Sequence, residues 1–500
     1  MSSTEPTSHE VLDPISRTMD VGTPAVEPGE APGLERGALG LTGATMQAIT
    51  HIAPAIAAFF FTTAVVGFTG VVAPLAYAIG VGIVLMLGST LVQLSKHLPS
   101  SGGYYTYISR AIHPRAGFLT SWMYIFYSPL AGGPIYGFFG FILANELKSN
   151  YNVNVPWLWW VCIVVGAPLI ALFQYRGIKI SARAMLILGG IEMIIVFVLS
   201  IWGFANPGHG GSAFQAFDPS KAISLSGFAL AVVFSVQGLT GWEGAAPLAE
   251  ETADPKRNIP RSVMISIVLI GVFLVICYWG QIVGWGINDP KGIAGSSELP
   301  ALVLAHRFWH GGWLILMFAF LNSTIAVCLA TANVGTRMWY RMAKNGSFPK
   351  PLAYVHPTYK TPVNAILLQL AISLGVGIGV GVAWAADVGY FLVDGLVLVL
   401  AVAVVYLMAN IAVFRFYRHE RRHEFNVLLH VIFPLISSAA LIYAVYKSFS
   451  PAPAHPYNLS PFIDGGWLLL GIVILLVMRA RGKEGWLTTA GESLADVGEA

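Results

Sequence analysis

Apolar runs of about twenty residues or more alternate with short polar segments along most of the chain. A helix needs roughly 20 apolar residues to cross the hydrocarbon of a bilayer. The pattern therefore predicts an all-α integral membrane protein with about twelve transmembrane helices. The runs fall near 40–68, 71–95, 114–144, 156–174, 179–204, 223–247, 262–286, 311–341, 362–384, 388–415, 427–448 and 464–480. The third is longer than a crossing requires, so part of it lies on the membrane surface or the span is tilted.

Two of the runs carry residues that a plain span avoids. In the sixth, Gly238, Gly241 and Gly244 are interleaved with Gln237, Thr240 and Glu243. A glycine costs roughly 1 kcal/mol relative to alanine in a helix, and a charge at bilayer depth costs at least about 2.5–3.5 kcal/mol. In the first, QAITHIAPAIAAFFF places His51 and Pro54 at mid-span, and an interior proline costs about 3 kcal/mol. Both runs predict helices that break and offer bare backbone to a ligand. They stand at matching positions if spans one to five and six to ten are two five-helix repeats, followed by two C-terminal helices. Paired breaks of this kind point to a transport site at the repeat interface. A broken helix presents carbonyls at the end of its first half and N–H groups at the start of its second, attracting ammonium and carboxylate respectively. Two adjacent breaks suit a zwitterion. The competing reading of Pro54 is a packed kink, and His51 either meets substrate or bonds across helices.

This arrangement divides the chain into a disordered cytoplasmic tail over 1–37, a first five-helix repeat over 38–205, a second over 206–416, helices eleven and twelve over 417–484 and a cytoplasmic tail over 485–500. Charge supports it. The chain is 56% hydrophobic and only 11% charged, against about 25% charged in soluble proteins. A net charge of +3 gives no indication of a nucleic-acid partner. Of the 28 Lys and Arg residues, all but Lys148, Lys221, Lys291, Arg307 and Lys447 fall on the segments that are cytoplasmic if the N-terminus is inside. The positive-inside rule then places both termini in the cytoplasm of a multi-pass cell-membrane protein.

Other features point away from catalysis. Cys162, Cys277 and Cys328 lie within apolar runs, with no disulfide framework and no metal-ligand spacing. The run RHERRHE from Arg418 to Glu424 reads as a solvated basic loop rather than a metal or pH sensor. Glycines between Gly375 and Gly381 sit in an apolar span and read as helix packing. No nucleophile–base spacing or phosphate loop suggests an enzyme, and no cofactor is expected.

Span five carries a single acid, Glu192. Burial disfavours the ionised form of a carboxyl, so such a group can load and release a proton as a site opens to each side. Intramembrane acids are functional by default, and Glu192 is read as the proton-coupling residue; the alternative is an acid that only bonds neighbouring helices. Glu243, Asp394, Asn322 and Asn410 either line a path or join helices. Glu250, Glu251, Asp254, Lys256, Arg257 and Arg261 form a charged cluster at the inner end of span six. The cluster is either an ion-paired cytoplasmic gate or a topology-setting loop, and Arg337 to Lys350 invites the same reading.

Three motifs carry a family resemblance: LPSSGGYYTYISRA from Leu98, GLTGWEGAAPLAEETADPKRNIPRS from Gly238, and NVGTRMWYRMAKNGSFPKPLAYVHPTYKTP from Asn333. In them the chain resembles the amino acid permeases of the amino acid–polyamine–organocation superfamily, over about residues 38–420. The resemblance implies the leucine-transporter-like 5+5 inverted-repeat fold, in which helices one, two, six and seven rock against three, four, eight and nine. It implies a substrate site at His51, Ile52, Ala53, Pro54 and Ala55 of helix one and Gln237, Gly238, Thr240, Gly241 and Trp242 of helix six, with Glu243 in a gating role. Glu192 falls where certain proton-coupled relatives carry a helix-five lysine. Two positions depart from the family pattern: His51–Ala55 replaces a Gly-Ser-Gly type break, and Gln237 stands where some relatives place an aromatic gate. The expected function is a secondary active transporter for an amino acid or related amine, working as a proton symporter and as a monomer or homodimer. An amino acid/polyamine exchanger and a non-transporting nutrient sensor are the alternatives.

Overall fold

In lipid a backbone amide has no water to bond, so an apolar chain closes its hydrogen bonds within helices. The computed structural model describes residues 33–208, 210–289, 292–293, 296, 299–450, 452–496 and 498; nearly all of the expected N-terminal tail lies outside them. We number the membrane helices α1 to α12. The first is split into α1a, Leu41–Ile52, and α1b over 54–69. Then come α2 (Ala73–Ser95), α3 (Pro114–Tyr151), α4 (Leu158–Tyr175) and α5 (Ile178–Ala205). The sixth is split into α6a, Leu225–Gln237, and α6b, a 3₁₀ helix over Trp242–Glu251. The series continues with α7 (Pro255–Trp285), α8 (Trp313–Lys344), α9 (Val363–Trp384), α10 (Ala386–His419), α11 (Leu428–Ser448) and α12 (Tyr457–Ala480).

Among the described residues, 11 helical stretches are long and apolar enough to cross a membrane. The expected first span is not one of them as a continuous rod. Its α1a has 12 residues, about 18 Å at 1.5 Å per residue, against about 30 Å of hydrocarbon. The third span is not divided: α3 runs unbroken for 38 residues, and a separate short helix, Tyr104–Ala111, precedes it.

The helices pack in two groups. In one, α2 lies against α7 and α6a, and α1 against α6 and α7; in the other, α3 contacts α4, α8 and α9. The α5 helix packs on both α7 and α8, spanning the groups. The α3–α9 crossing depends on glycine. A Cβ at Gly133 would stand 2.8 Å from the Gly377 backbone, and Gly381 faces the Trp159 ring, whereas Gly375 and Gly379 look into open space. Only alternate glycines of that run are therefore packing positions. On the periphery, α12 is pinned to α3 by Trp122 and Trp467. Their rings stack 4.2 Å apart, and each indole N–H donates to the other residue's carbonyl, at 2.7 and 2.8 Å.

The segment expected as a C-terminal tail folds back on the end of the bundle that carries Pro99, Arg341 and Asn345. Trp486, Ala490 and Leu494 are buried. The Leu494 N–H donates to the Pro99 carbonyl at 2.9 Å, Asn345 Nδ2 to the Thr489 carbonyl at 3.1 Å and Arg341 Nη2 to the Glu492 carbonyl at 2.7 Å. In the Arg418–Glu424 loop, Glu424 meets His97 at 3.1 Å and Glu420 meets Arg110 at 3.0 Å.

The glycine crossing generates a paired prediction. Gly133→Val forces α3 and α9 apart and costs about 1–3 kcal/mol or more, whereas Gly375→Ala is neutral. Thermal unfolding in detergent should show a clear drop for the first and none for the second.

Candidate functional site

The first break is sharp. Ala53 takes a left-handed conformation at φ 59°, uncommon for a residue with a side chain, and Pro54 then opens α1b, where a missing N–H costs nothing. The second break runs from Gly238 to Gly241, with Gly241 at φ 115° starting α6b. The two breaks touch. A Cβ at Gly241 would lie 2.5 Å from the His51 carbonyl oxygen and 2.9 Å from the Ile52 nitrogen.

Beside this contact is a cavity with about 90 Å³ open to water, several times the roughly 10–15 Å³ that one water needs. Its wall is largely apolar. The polar positions are Tyr127 of α3, Gln237 and Thr240 of α6, Thr331 of α8, and Tyr390 and Asp394 of α10. Of the residues expected to meet substrate, Ile52, Ala53, Gln237, Gly238 and Thr240 line the cavity; His51, Pro54, Ala55, Gly241 and Trp242 are buried but are not part of its lining. His51 is wedged between Gly244 and Tyr127, with Nε2 3.4 Å from the Tyr127 hydroxyl. Gln237 lines the cavity, but its amide donates to the Gly395 carbonyl at 2.9 Å. That carbonyl belongs to a π-helical segment of α10, Phe391–Val397, so the helix-six break is tied to a third irregularity.

Each acid behaves differently. Glu243 is buried and fully engaged. Its carboxylate accepts from Tyr124 at 3.1 Å, Tyr406 at 2.8 Å and the Gly241 N–H at 3.2 Å. It therefore caps α6b and ties it to α3 and α10. Glu192, also buried, faces α1b and α8. It lies beside the Ala55 amide and the Ser323 hydroxyl, but neither carboxylate oxygen reaches hydrogen-bond geometry. Asp394 borders the cavity, and its Oδ2 is buried without a partner. Asn322 and Asn410 serve packing. Asn322 donates to the Leu188 carbonyl, and Asn410 bonds Thr90, Pro434, Ser437 and Ser438.

One end of the bundle, where α6b meets α8, is joined by ion pairs whose partners differ from the local ones the sequence suggested. Lys256, Arg257 and Arg261 are exposed, just beyond the left-handed turn at Asp254. Glu251 instead forms a bidentate pair with Arg337 of α8, at 2.8 and 3.0 Å, with both side chains fully buried. Glu250 takes Arg341 at 3.4 Å and the Ser101 hydroxyl at 2.5 Å. The Ser-Gly-Gly-Tyr motif makes this fit: a Cβ at Gly102 would stand 3.1 Å from the Arg341 side chain.

The tyrosines around the site escaped the sequence reading. Tyr124 and Tyr127 stand three residues apart on one helix face, the single local signal for them; Tyr390 and Tyr406 give none.

Comparison with known proteins follows this geometry. The amino acid permease family model matches residues 43–483. The chain is 27% identical over 350 residues to the low-affinity putrescine importer PlaP of Escherichia coli, covering 68% of this chain and 74% of that protein. It is 22% identical to the serine/threonine exchanger SteT of Bacillus subtilis, over 74% of this chain and 81% of that one. It is 24% identical to the L-methionine/branched-chain amino acid exporter YjeH of Escherichia coli, over 55% of this chain and 61% of that one.

Two outcomes are expected from these contacts. Gly241→Ala drives a methyl group into the His51 carbonyl and should abolish solute binding in an equilibrium assay, while Gly190→Ala, which meets open space, leaves it intact. Glu251→Ala strands the Arg337 guanidinium in the interior, a loss of about 3–5 kcal/mol to be seen as a lowered unfolding temperature.

Proposed function

This chain belongs to the amino acid permease family, and from that premise we propose a secondary active transporter that moves an amino acid or related amine by alternating access, driven by protons. The contact between the two helix breaks carries the reading. It puts a cavity of about 90 Å³ beside the ends of α1a and α6a, where the negative ends of two helix dipoles favour a cationic group.

The moving parts follow from the packing. The group of α1, α2, α6 and α7 rocks against α3, α4, α8 and α9. At the inner end the Glu251–Arg337 and Glu250–Arg341 pairs join the two groups, and they separate when the cavity opens to the cytoplasm. Both termini face that side of the cell membrane. The relatives are named as an importer, an exchanger and an exporter, so family membership speaks for carriage and leaves the direction to coupling.

Coupling is assigned to Glu192. It is not among the residues that line the cavity, and its carboxyl lies beside the Ala55 amide of α1b and Ser323 of α8. Those two elements belong to opposite groups, so their separation alters the solvation of the acid. A change in solvation alters proton affinity, which links proton uptake to the rocking motion.

Glu192→Gln removes the proton site at nearly constant volume. In proteoliposomes, uptake driven by an imposed pH gradient should disappear, while solute exchange persists. Full pH-driven uptake by the variant rules out the assignment.

A further inference from the structure

We infer that the cavity is an organic-cation site, in which Asp394 receives the ammonium of an amine substrate and no substrate carboxylate is required. This inference rests on the carrier reading above and narrows its substrate class.

The argument has two halves. The first concerns what would bind an anion. The start of a helix attracts a carboxylate through its free N–H groups, and two such starts, α1b and α6b, adjoin the breaks. At each, the chain itself takes up N–H groups or lacks them. In α1b, Pro54 has no N–H, the Ala55 amide lies beside Glu192, the Ile56 N–H donates to Ser323 Oγ at 3.4 Å, and that of Ala57 donates to the Ala53 carbonyl at 2.8 Å. At α6b, the Gly241 N–H donates to the Glu243 carboxylate at 3.2 Å and the Gly244 N–H to the Gly241 carbonyl at 3.0 Å. At α6b the protein's own Glu243 stands where a substrate carboxylate would go, and a further anion near α1b meets the buried acid Glu192 beside the Ala55 amide.

The second half concerns what would bind a cation. The cavity is lined by the last residues of α1a and α6a, the negative ends of both helices. Asp394 is the one charged residue among its lining. Asp394 Oδ2 is buried without a hydrogen-bond partner, and no ion pair joins the residue to a Lys, Arg or His among the described residues. An ionised carboxylate held out of water is costly, and the cost is relieved either by a proton or by a counter-charge such as a substrate ammonium. The π-helical segment Phe391–Val397 sets it there, and such segments are frequent at functional sites. Tyr127, Tyr390 and Thr331 supply further oxygens on the same wall. A primary ammonium has three donors to place among them.

The test uses the full-length protein in proteoliposomes, with butane-1,4-diamine and butylamine as cationic probes and L-serine and L-methionine as zwitterions. Wild type should accumulate the amines, and unlabelled amine should compete at least tenfold better than either amino acid. Asp394→Asn should raise the half-saturating amine concentration at least tenfold, and Asp394→Glu should restore most of the affinity, a rescue that a purely structural role would not give. Amine uptake by Asp394→Asn equal to wild type overturns the inference. So does wild-type uptake confined to the amino acids, although it leaves the carrier reading standing. Failure to move any of the four solutes counts against both.

Discussion

Gly241 rests on the main chain of His51 and Ile52, and a single carbon atom added there would collide with a carbonyl. The architecture around the cavity serves this approach of two backbones. Helices that stop inside a membrane leave polar groups with no water to satisfy them, at several kcal/mol each. The chain answers by drafting side chains from neighbouring helices. Glu243 turns back onto the Gly241 amide and is itself held by two phenols, Ser323 reaches the Ile56 amide, and Gln237 reaches the Gly395 carbonyl. Each bond that lets a break exist also fixes where the broken ends point.

The same bonds describe how α6 is braced. Along its length it meets the rest of the protein through polar ties: Gln237 to α10, Glu243 to α3 and α10, Glu250 to Ser101 and α8, and Glu251 to α8. Polar ties exchange partners more readily than interlocked side chains do, since each is worth only about 0.5–1.5 kcal/mol net, rising to about 1.5–3 with a charged group. A helix held in this way can have two resting positions. By contrast, the α3–α9 contact is glycine against glycine backbone, and it behaves as one rigid piece.

The sequence made the spans and both breaks legible because proline, glycine and isolated acids are expensive inside a bilayer and advertise themselves. Partners distant in the chain were illegible. Nothing near Glu251 announces Arg337, 86 residues on, and local charge drew attention to Lys256 and Arg257 instead. Ala53 gave no sign of its left-handed turn, because alanine ordinarily avoids it; the proline after it imposes the geometry. Asp394 was visible as a buried acid, but its position at the cavity depends on the π-helical winding of α10, which apolar periodicity does not encode. The final segment read as a loose tail because its few large residues are widely spaced, although Trp486 packs 5.7 Å from the Phe118 ring.

That segment holds on in an unusual way. The Asn345 and Arg341 side chains grip the peptide oxygens of Thr489 and Glu492, and Leu494 offers its own peptide hydrogen to Pro99. These bonds are blind to the identity of the residues that supply the peptide groups. The clasp at this end of the bundle can therefore change spelling at Thr489 and Glu492, which lend only peptide oxygens to it, while the buried Trp486, Ala490 and Leu494 stay fixed by packing; a change of length or an ill-placed proline would undo it.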